Sequence, residues 1–349
     1  MSNSAAGEVV VVNPLSMPQW NPLVAAFPEA TVFHSANWAR VLVESYGFTP
    51  SYLALFQGEA LKGCLPLVAT GSPLTGRRGV SLSFADSCCA LAPSRSDFQR
   101  LFKAAVAYGR EKGWKGVEFR AEPFLKGEAA SEKYMQHLIE LSPDEGAMHR
   151  RLRESTARNI RKAVREGVEV EFSESLQGVM EYYRLHCLTR KRHGVPPQPS
   201  RFFRKIHEEV IARGLGFTAL ARYRGGTVAG IICLGFGRNA MYKYGASDET
   251  FQQVRANNLL LWETIKRCAH DGYTSFSLGR TDLDNEGLLV FKNGWGAEAE
   301  PISYYRYDLR HDLFCSEEKR DLGCMKKMLR RMPVAILRGI GTLLYKYAG

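Results

Sequence analysis

Two stretches of this chain share one plan. Residues 52–68 (YLALFQGEALKGCLPLV) and 217–236 (FTALARYRGGTVAGIICLGF) each read as an apolar run, a polar turn containing glycine, and a second apolar run. Apolar residues flanking Gln57-Gly58-Glu59 and Arg224-Gly225-Gly226 predict a β-hairpin in both. The sequel is also shared. Residues 98–120 and 258–280 place apolar side chains at helical spacing, stop at Gly113 and Gly272, and resume as a short strand. Glycine just past a helix end takes the left-handed conformation that terminates it. Val117 and Phe119 of the first copy match Phe276 and Leu278 of the second. The repeat therefore predicts an α/β chain of two similar units, each with a hairpin, a helix and a closing strand. At 349 residues there is enough chain for two cores. The expected bounds are 1–147 and 148–312, followed by a C-terminal tail over 313–349.

Composition narrows the class. The chain is 45% hydrophobic and 24% charged, with a formal net charge of +11, which favours an anionic partner. No stretch approaches the roughly 18 uninterrupted apolar residues of a membrane span, and the N-terminal residues lack a secretory pattern. Eight scattered cysteines with no C-x-x-C pair suit reduced thiols and a cytoplasmic location. Without H-E-x-x-H or a Cys/His cluster, no metal is expected.

Between the copies, residues 150–165 carry seven basic side chains, Arg158 and Arg161 among them, and one acid, Glu154. This reads as a basic helix, either a solvated face or a phosphate-facing surface. A second basic cluster, TRKRHG (189–194), precedes a proline-rich loop. Residues 33–47 read as an amphipathic helix capped near Ser35, with His34 and Trp38 as core or cap residues.

The motifs RNIRKAVREGVEV (158–170), LLLWETIKRCAHDGY (259–273) and GLLVFKNGWG (287–296) occur in the order found in the FemABX family, which the chain resembles over about residues 30–310. The resemblance implies two tandem GNAT-like (acetyltransferase-fold) domains, the second carrying the F-K-x-G-W-G motif. It also implies acyl transfer to an amine of a cell-envelope precursor, related to peptidoglycan or exopolysaccharide. The donor would be a co-substrate, aminoacyl-tRNA or acyl-CoA, with no tightly bound cofactor. The motif's Phe-Lys falls on Phe291 and Lys292. Amine attack on an ester creates a tetrahedral oxyanion, which a fixed ammonium would stabilise in the transition state. Gly294 and Gly296 would admit substrate to the backbone, and Phe291 and Trp295 would exclude water.

Further polar candidates flank the motif. Tyr244, Ser247 and Asn258 lie at the junction leading into the second helix, where a GNAT fold faces its donor. Ordinary capping by Asn257 or Asn258 is the alternative. The loop QVRANN (253–258) has Ala256 where simple acetyltransferases have a phosphate-binding glycine, which departs from a coenzyme A pattern. Arg280 and Asp282 follow the last strand of the second sheet, and Asp282 could accept a proton or cap the turn. In the first copy Asp86 could contact an acceptor, while Cys88 and Cys89 lack a histidine base and read as incidental thiols.

The tail differs in kind. Met325, Met328, Leu329, Met332, Ile336, Leu337, Ile340, Leu343, Leu344 and Tyr347 recur at helical spacing among Lys326, Lys327, Arg330, Arg331, Arg338 and Lys346. Such a basic amphipathic helix either lies on an anionic membrane surface or packs on the first domain. The leading reading is a monomeric, cytoplasmic transferase, peripheral to the inner face of the membrane if the tail binds there. Its partners are an envelope-precursor acceptor and, for an aminoacyl donor, tRNA. Two rivals keep the fold: an acetyl-CoA-dependent N-acyltransferase of an exopolysaccharide sugar, and a non-catalytic assembly component that binds RNA or membrane.

Overall fold

The computed structural model describes residues 7–72, 76–316 and 323–347. Its elements begin with β1 (Glu8–Val12), α1 (Trp20–Ala25), α2 (Ala36–Tyr46), β2 (Tyr52–Gln57), β3 (Ala60–Leu65), β4 (Val68–Ser72), β5 (Gly76–Ser81), α3 (Arg95–Glu111) and β6 (Gly116–Arg120). Next come β7 (Glu132–Glu140), α4 (Glu145–Arg150), α5 (Glu154–Arg165), β8 (Glu169–Ser173), α6 (Leu176–Arg192), α7 (Ser200–Glu209), β9 (Gly216–Tyr223), β10 (Gly226–Phe236) and β11 (Asn239–Ser247). The chain ends with α8 (Ala256–His270), β12 (Ser275–Asp282), α9 (Glu286–Asn293), β13 (Glu298–Asp308), β14 (Leu313–Cys315), α10 (Gly323–Arg331) and α11 (Val334–Leu344).

The chain divides into two compact units, Met1–Tyr134 with Pro301–Lys319 and Lys346–Gly349, and Met135–Glu300 with Arg320–Tyr345. This differs from the sequence bounds in two ways. The crossing falls at 134/135 rather than 147/148, and the chain returns at Pro301, so most of β13 completes the first unit. A strand whose sheet partner lies far upstream leaves no local mark of its membership.

Both predicted hairpins form. Gln57 pairs with Ala60 across Gly58 (φ 62°), and Tyr223 pairs with Gly226 across Arg224 and Gly225, both at positive φ. Their surroundings differ. β2 and β3 join β1 in a separate antiparallel sheet, whereas in the second unit β9 pairs with β8 and β10, and β10 with β11. The structural counterpart of β10–β11–α8–β12 is β4–β5–α3–β6: an antiparallel pair, a helix, and a strand parallel to the one before the helix. Pro66, between β3 and β4, cannot donate to a ladder and divides the apolar run. The shared closing strands are as expected, with Val117 and Phe119 packed beneath α3 and Phe276 and Leu278 beneath α8.

The ends of α2 follow their signals. Ser35 accepts from Trp38 N at 3.1 Å to start α2, which Gly47 (φ 72°) stops. His34 and Trp38 are fully buried, with His34 Nε2 3.0 Å from Cys89 O. Within the tail, α10 and α11 are broken at Pro333 and belong to the second unit, not to the first on which packing was weighed. Leu337 is buried, Gly341 abuts Pro197 O, and Tyr345 Oη receives Arg190 Nη2 at 2.8 Å. Residues 348–349 and the side chain of Cys324 lie outside the described residues. Among the described residues no helix is long and apolar enough to cross a membrane.

Candidate functional site

In the second unit α8 begins without a side-chain cap. Arg255 occupies its N-cap in the left-handed conformation (φ 59°), and neither Asn257 nor Asn258 caps it. This start opens on a cavity of about 140 Å³ that Ser247, Asn257 and Asn258 line with polar groups and Phe251 and Phe291 line with rings. Arg255 and Asp248 add charge. Ser247 is fixed by its peptide, whose N–H donates to Thr189 Oγ1 at 3.1 Å while its carbonyl accepts from the same hydroxyl at 3.2 Å. Asp248 is spent on the next turn, accepting from Thr250 N and Oγ1. Helix N-termini carry partial positive charge and unpaired amides, so this cavity suits an acyl carbonyl or a phosphate.

The GLLVFKNGWG segment is a helix, α9, started by Asn285 accepting from Leu288 N at 3.2 Å. Phe291 and Lys292 lie in its last turn. Phe291 reaches the cavity and meets Trp295 edge-on at 5.9 Å, and Trp295 is buried in the unit's main core. Lys292 does not line the cavity. Its side chain is only 6% exposed, and Nζ donates to Gly279 O at 2.8 Å and Arg280 O at 3.1 Å, where β12 bends through Gly279 (φ 70°). The ammonium is thus anchored at the end of the strand that carries Arg280 and Asp282. Arg280 is half-buried and Asp282 exposed.

The two glycines serve packing rather than substrate approach. A Cβ on Gly294 would lie 2.5 Å from Thr156 Oγ1, and one on Gly296 (φ 67°) 2.7 Å from Arg151 Cβ. Gly294 O also accepts from Arg153 N at 3.0 Å. The Gly-Trp-Gly corner therefore clamps the start of α5. That helix buries Thr156, Ala157, Ile160 and Ala163 and leaves Arg158 and Arg161 exposed, outside the cavity.

Two other expected residues lie elsewhere. Tyr244 packs into an aromatic cluster with His186, Phe202 and Phe203 on the α6–α7 side of β11. Asp86 belongs to the first unit, where its backbone carbonyl accepts from Tyr304 Oη at 2.6 Å. Contrary to expectation, Cys88 has a histidine neighbour, with His34 Nε2 3.7 Å from its Sγ. Burial pushes the Cys88 and Cys89 thiols up, Cys89 to about 12.

Sequence reasoning missed Arg255, Asn257 and Phe251 as lining residues, and it missed His137. Asn and Arg just before an apolar helical run were the available signal for the first two. His137, on β7, carried no local signal. Its Nε2–H donates to Asn293 Oδ1 at 2.9 Å, beside Lys292. Burial lowers its pKa; Asn293 opposes the shift and the Lys292 charge adds to it.

Residues 150–292 match the sequence signature of the Acetyltransferase (GNAT) domain family. The Lipid II:glycine glycyltransferases of two Staphylococcus epidermidis strains are 29% identical over 99 residues, 26% of this chain. The match spans about a quarter, 24%, of the length of these curated relatives. Among solved structures, FemX superposes with a TM-score of 0.71 at 14% identity, covering 87% of this chain and 98% of its own. L-PGS from Bacillus licheniformis superposes with a TM-score of 0.55 at 12% identity, covering 96% and 100%. At such identities the structural likeness speaks for the fold.

Proposed function

We propose that this chain, part of which matches the GNAT acetyltransferase family and whose fold resembles that of FemX, transfers an acyl or aminoacyl group to an amine of a peptidoglycan-type envelope precursor. The observation that carries this reading is the uncapped start of α8 over a cavity walled by Phe291, next in sequence to the buried, anchored Lys292. The donor's carbonyl enters this cavity, with Ser247, Asn257 and Asn258 as polar contacts and Arg255 facing an anionic portion of the donor. The amine nitrogen attacks the carbonyl carbon, and a C–N bond forms as the C–O bond of an ester, or C–S bond of a thioester, breaks. The proton lost by the amine reaches the leaving oxygen or sulfur, directly or by way of Asp282. The Lys292 charge, held in place before reaction, stabilises the oxyanion through its field.

Arg158 and Arg161 supply a phosphate-facing surface for a charged donor or acceptor. Exposed Met325, Met328, Ile336, Leu343 and Leu344, interspersed with Lys326, Lys327, Arg330 and Arg331, suit docking on an anionic membrane surface. Such docking would bring the enzyme to a lipid-linked acceptor. Sedimentation with anionic vesicles tests it: binding should fall for Leu343→Asp and with added salt, and equal binding to neutral vesicles would remove the electrostatic part.

Donor titration is the decisive experiment. Purified protein is titrated with coenzyme A, acetyl-CoA and charged tRNA, and turnover is followed with a verified acceptor. Charged-tRNA binding without coenzyme A binding supports the aminoacyl reading. Saturable acetyl-CoA binding moves the chain to the sugar N-acyltransferases. Binding of neither, with no transfer, refutes the proposal.

A further inference from the structure

The first unit holds a second polar constellation that the transfer reading does not use. On the sheet face away from α3, Glu118 is 3% exposed and shared by three guanidiniums. Arg120 Nε and Nη2 both donate to Oε1 at 2.9 Å. Arg306, directly opposite across the β6–β13 ladder, donates from Nη2 to Oε2 at 3.2 Å, and Arg78 Nε lies 3.9 Å from the same oxygen. Burial alone would raise the Glu118 carboxyl. The arginines, Arg120 foremost, override it and hold the carboxyl below its ordinary range. Arg120 is committed to structure, since Nη1 also donates to Leu82 O at 3.0 Å and Ala85 O at 3.2 Å.

Arg78 and Arg306 reach onward into a cavity of about 250 Å³ at the edge where β5 and β6 begin and β13 ends. Arg77 and Lys115 complete its cationic lining. One carboxylate, Asp308, also lines it, but that group is held by its own turn, accepting from Arg310 N, His311 N and His311 Nδ1. Glu132 adds a more distant negative charge near Arg78. Four basic residues thus line a cavity with one engaged carboxylate, and Glu118 holds the Arg78 and Arg306 guanidiniums on one face of the sheet. Buried carboxylates that fix arginine forks create geometry suited to tetrahedral oxyanions. This edge is the start of β5, whereas Asp86 follows its other end.

We infer that this cavity is a phosphate or diphosphate site of the first unit, distinct from the cavity at α8. The ligand class is a phosphorylated group, either the headgroup of an anionic lipid or a soluble phosphate ester.

The test titrates the full-length protein with inorganic pyrophosphate and phosphate, read by calorimetry at two salt concentrations. Saturable pyrophosphate binding is expected, weakened about tenfold or more by Arg77→Gln combined with Lys115→Gln. Both side chains are exposed, so this variant keeps its fold. Arg306→Gln tests the inner wall, with circular dichroism as its folding control. Displacement of pyrophosphate by anionic vesicles assigns a lipid headgroup, and its absence assigns a soluble ester; either supports the site. Absence of saturable binding, or binding unchanged in the Arg77/Lys115 variant, overturns it.

Discussion

Replacing Lys292 with methionine separates what its ammonium does for the fold from what it does for chemistry. Methionine keeps most of the side-chain length and removes the charge. The lost contacts are the bonds to Gly279 O at 2.8 Å and Arg280 O at 3.1 Å, made from a nearly buried position. Hydrogen bonds involving a charged group contribute about 1.5–3 kcal/mol each. Relief from burying the cation offsets part of this, so the net destabilisation is on the order of 2–4 kcal/mol. A urea titration measures it. If the same ammonium also stabilises the oxyanion, turnover should fall about 10²–10³-fold at a temperature where the variant is fully folded. Lys292→Arg keeps the charge in a planar fork that cannot meet both carbonyls as the ammonium does, and should recover stability more than rate. Turnover of Lys292→Met within about a factor of three of wild type, with donor and acceptor verified, would refute the catalytic part. An unchanged urea midpoint would refute the structural part.

Other expectations follow from single sites. Glu122 is buried and accepts from Ala90 N at 2.8 Å, and burial raises its carboxyl from 4.5 to about 7. The folded state then keeps a proton that the unfolded state loses, so stability falls as pH rises from about 4.5 to 7, by up to about 3 kcal/mol. Glu122→Gln should flatten that slope in chemical denaturation and raise stability at pH 8; an unchanged slope counts against the burial argument. Gly296→Ala forces a side chain into both a positive φ and contact with Arg151, and should cost about 1–3 kcal/mol by thermal unfolding. Cys89→Ser should leave turnover near wild type, and native Cys88 should resist alkylation at pH 8 until the protein unfolds. Rapid native labelling of Cys88 would contradict its burial.

Much of this molecule was legible because some signals are local. Helical spacing, alternation and a terminating glycine lie within one or two turns of chain, so α3, α8, both hairpins and the stops at Gly113 and Gly272 could be read directly. The FKNGWG segment was equally visible as a place where the backbone is constrained. The jobs of its residues were not legible. Gly294 and Gly296 answer to Thr156 and Arg151, over a hundred residues upstream, and Lys292 answers to two carbonyls on β12. Sequence placed Tyr244 beside Ser247 and Asn258, but strand register turned Tyr244 toward Phe203 while the other two reached the cavity. The Glu118 cluster draws on Arg78, Arg120 and Arg306 from three strands, and β13 pairs with β6 across nearly two hundred residues of chain. Helix and strand periods are set by neighbouring residues, so α3, α8 and both hairpins were encoded locally. Which polar groups meet was not, because a buried charge or carbonyl takes its partner from whatever the packed sheet brings within about 3 Å.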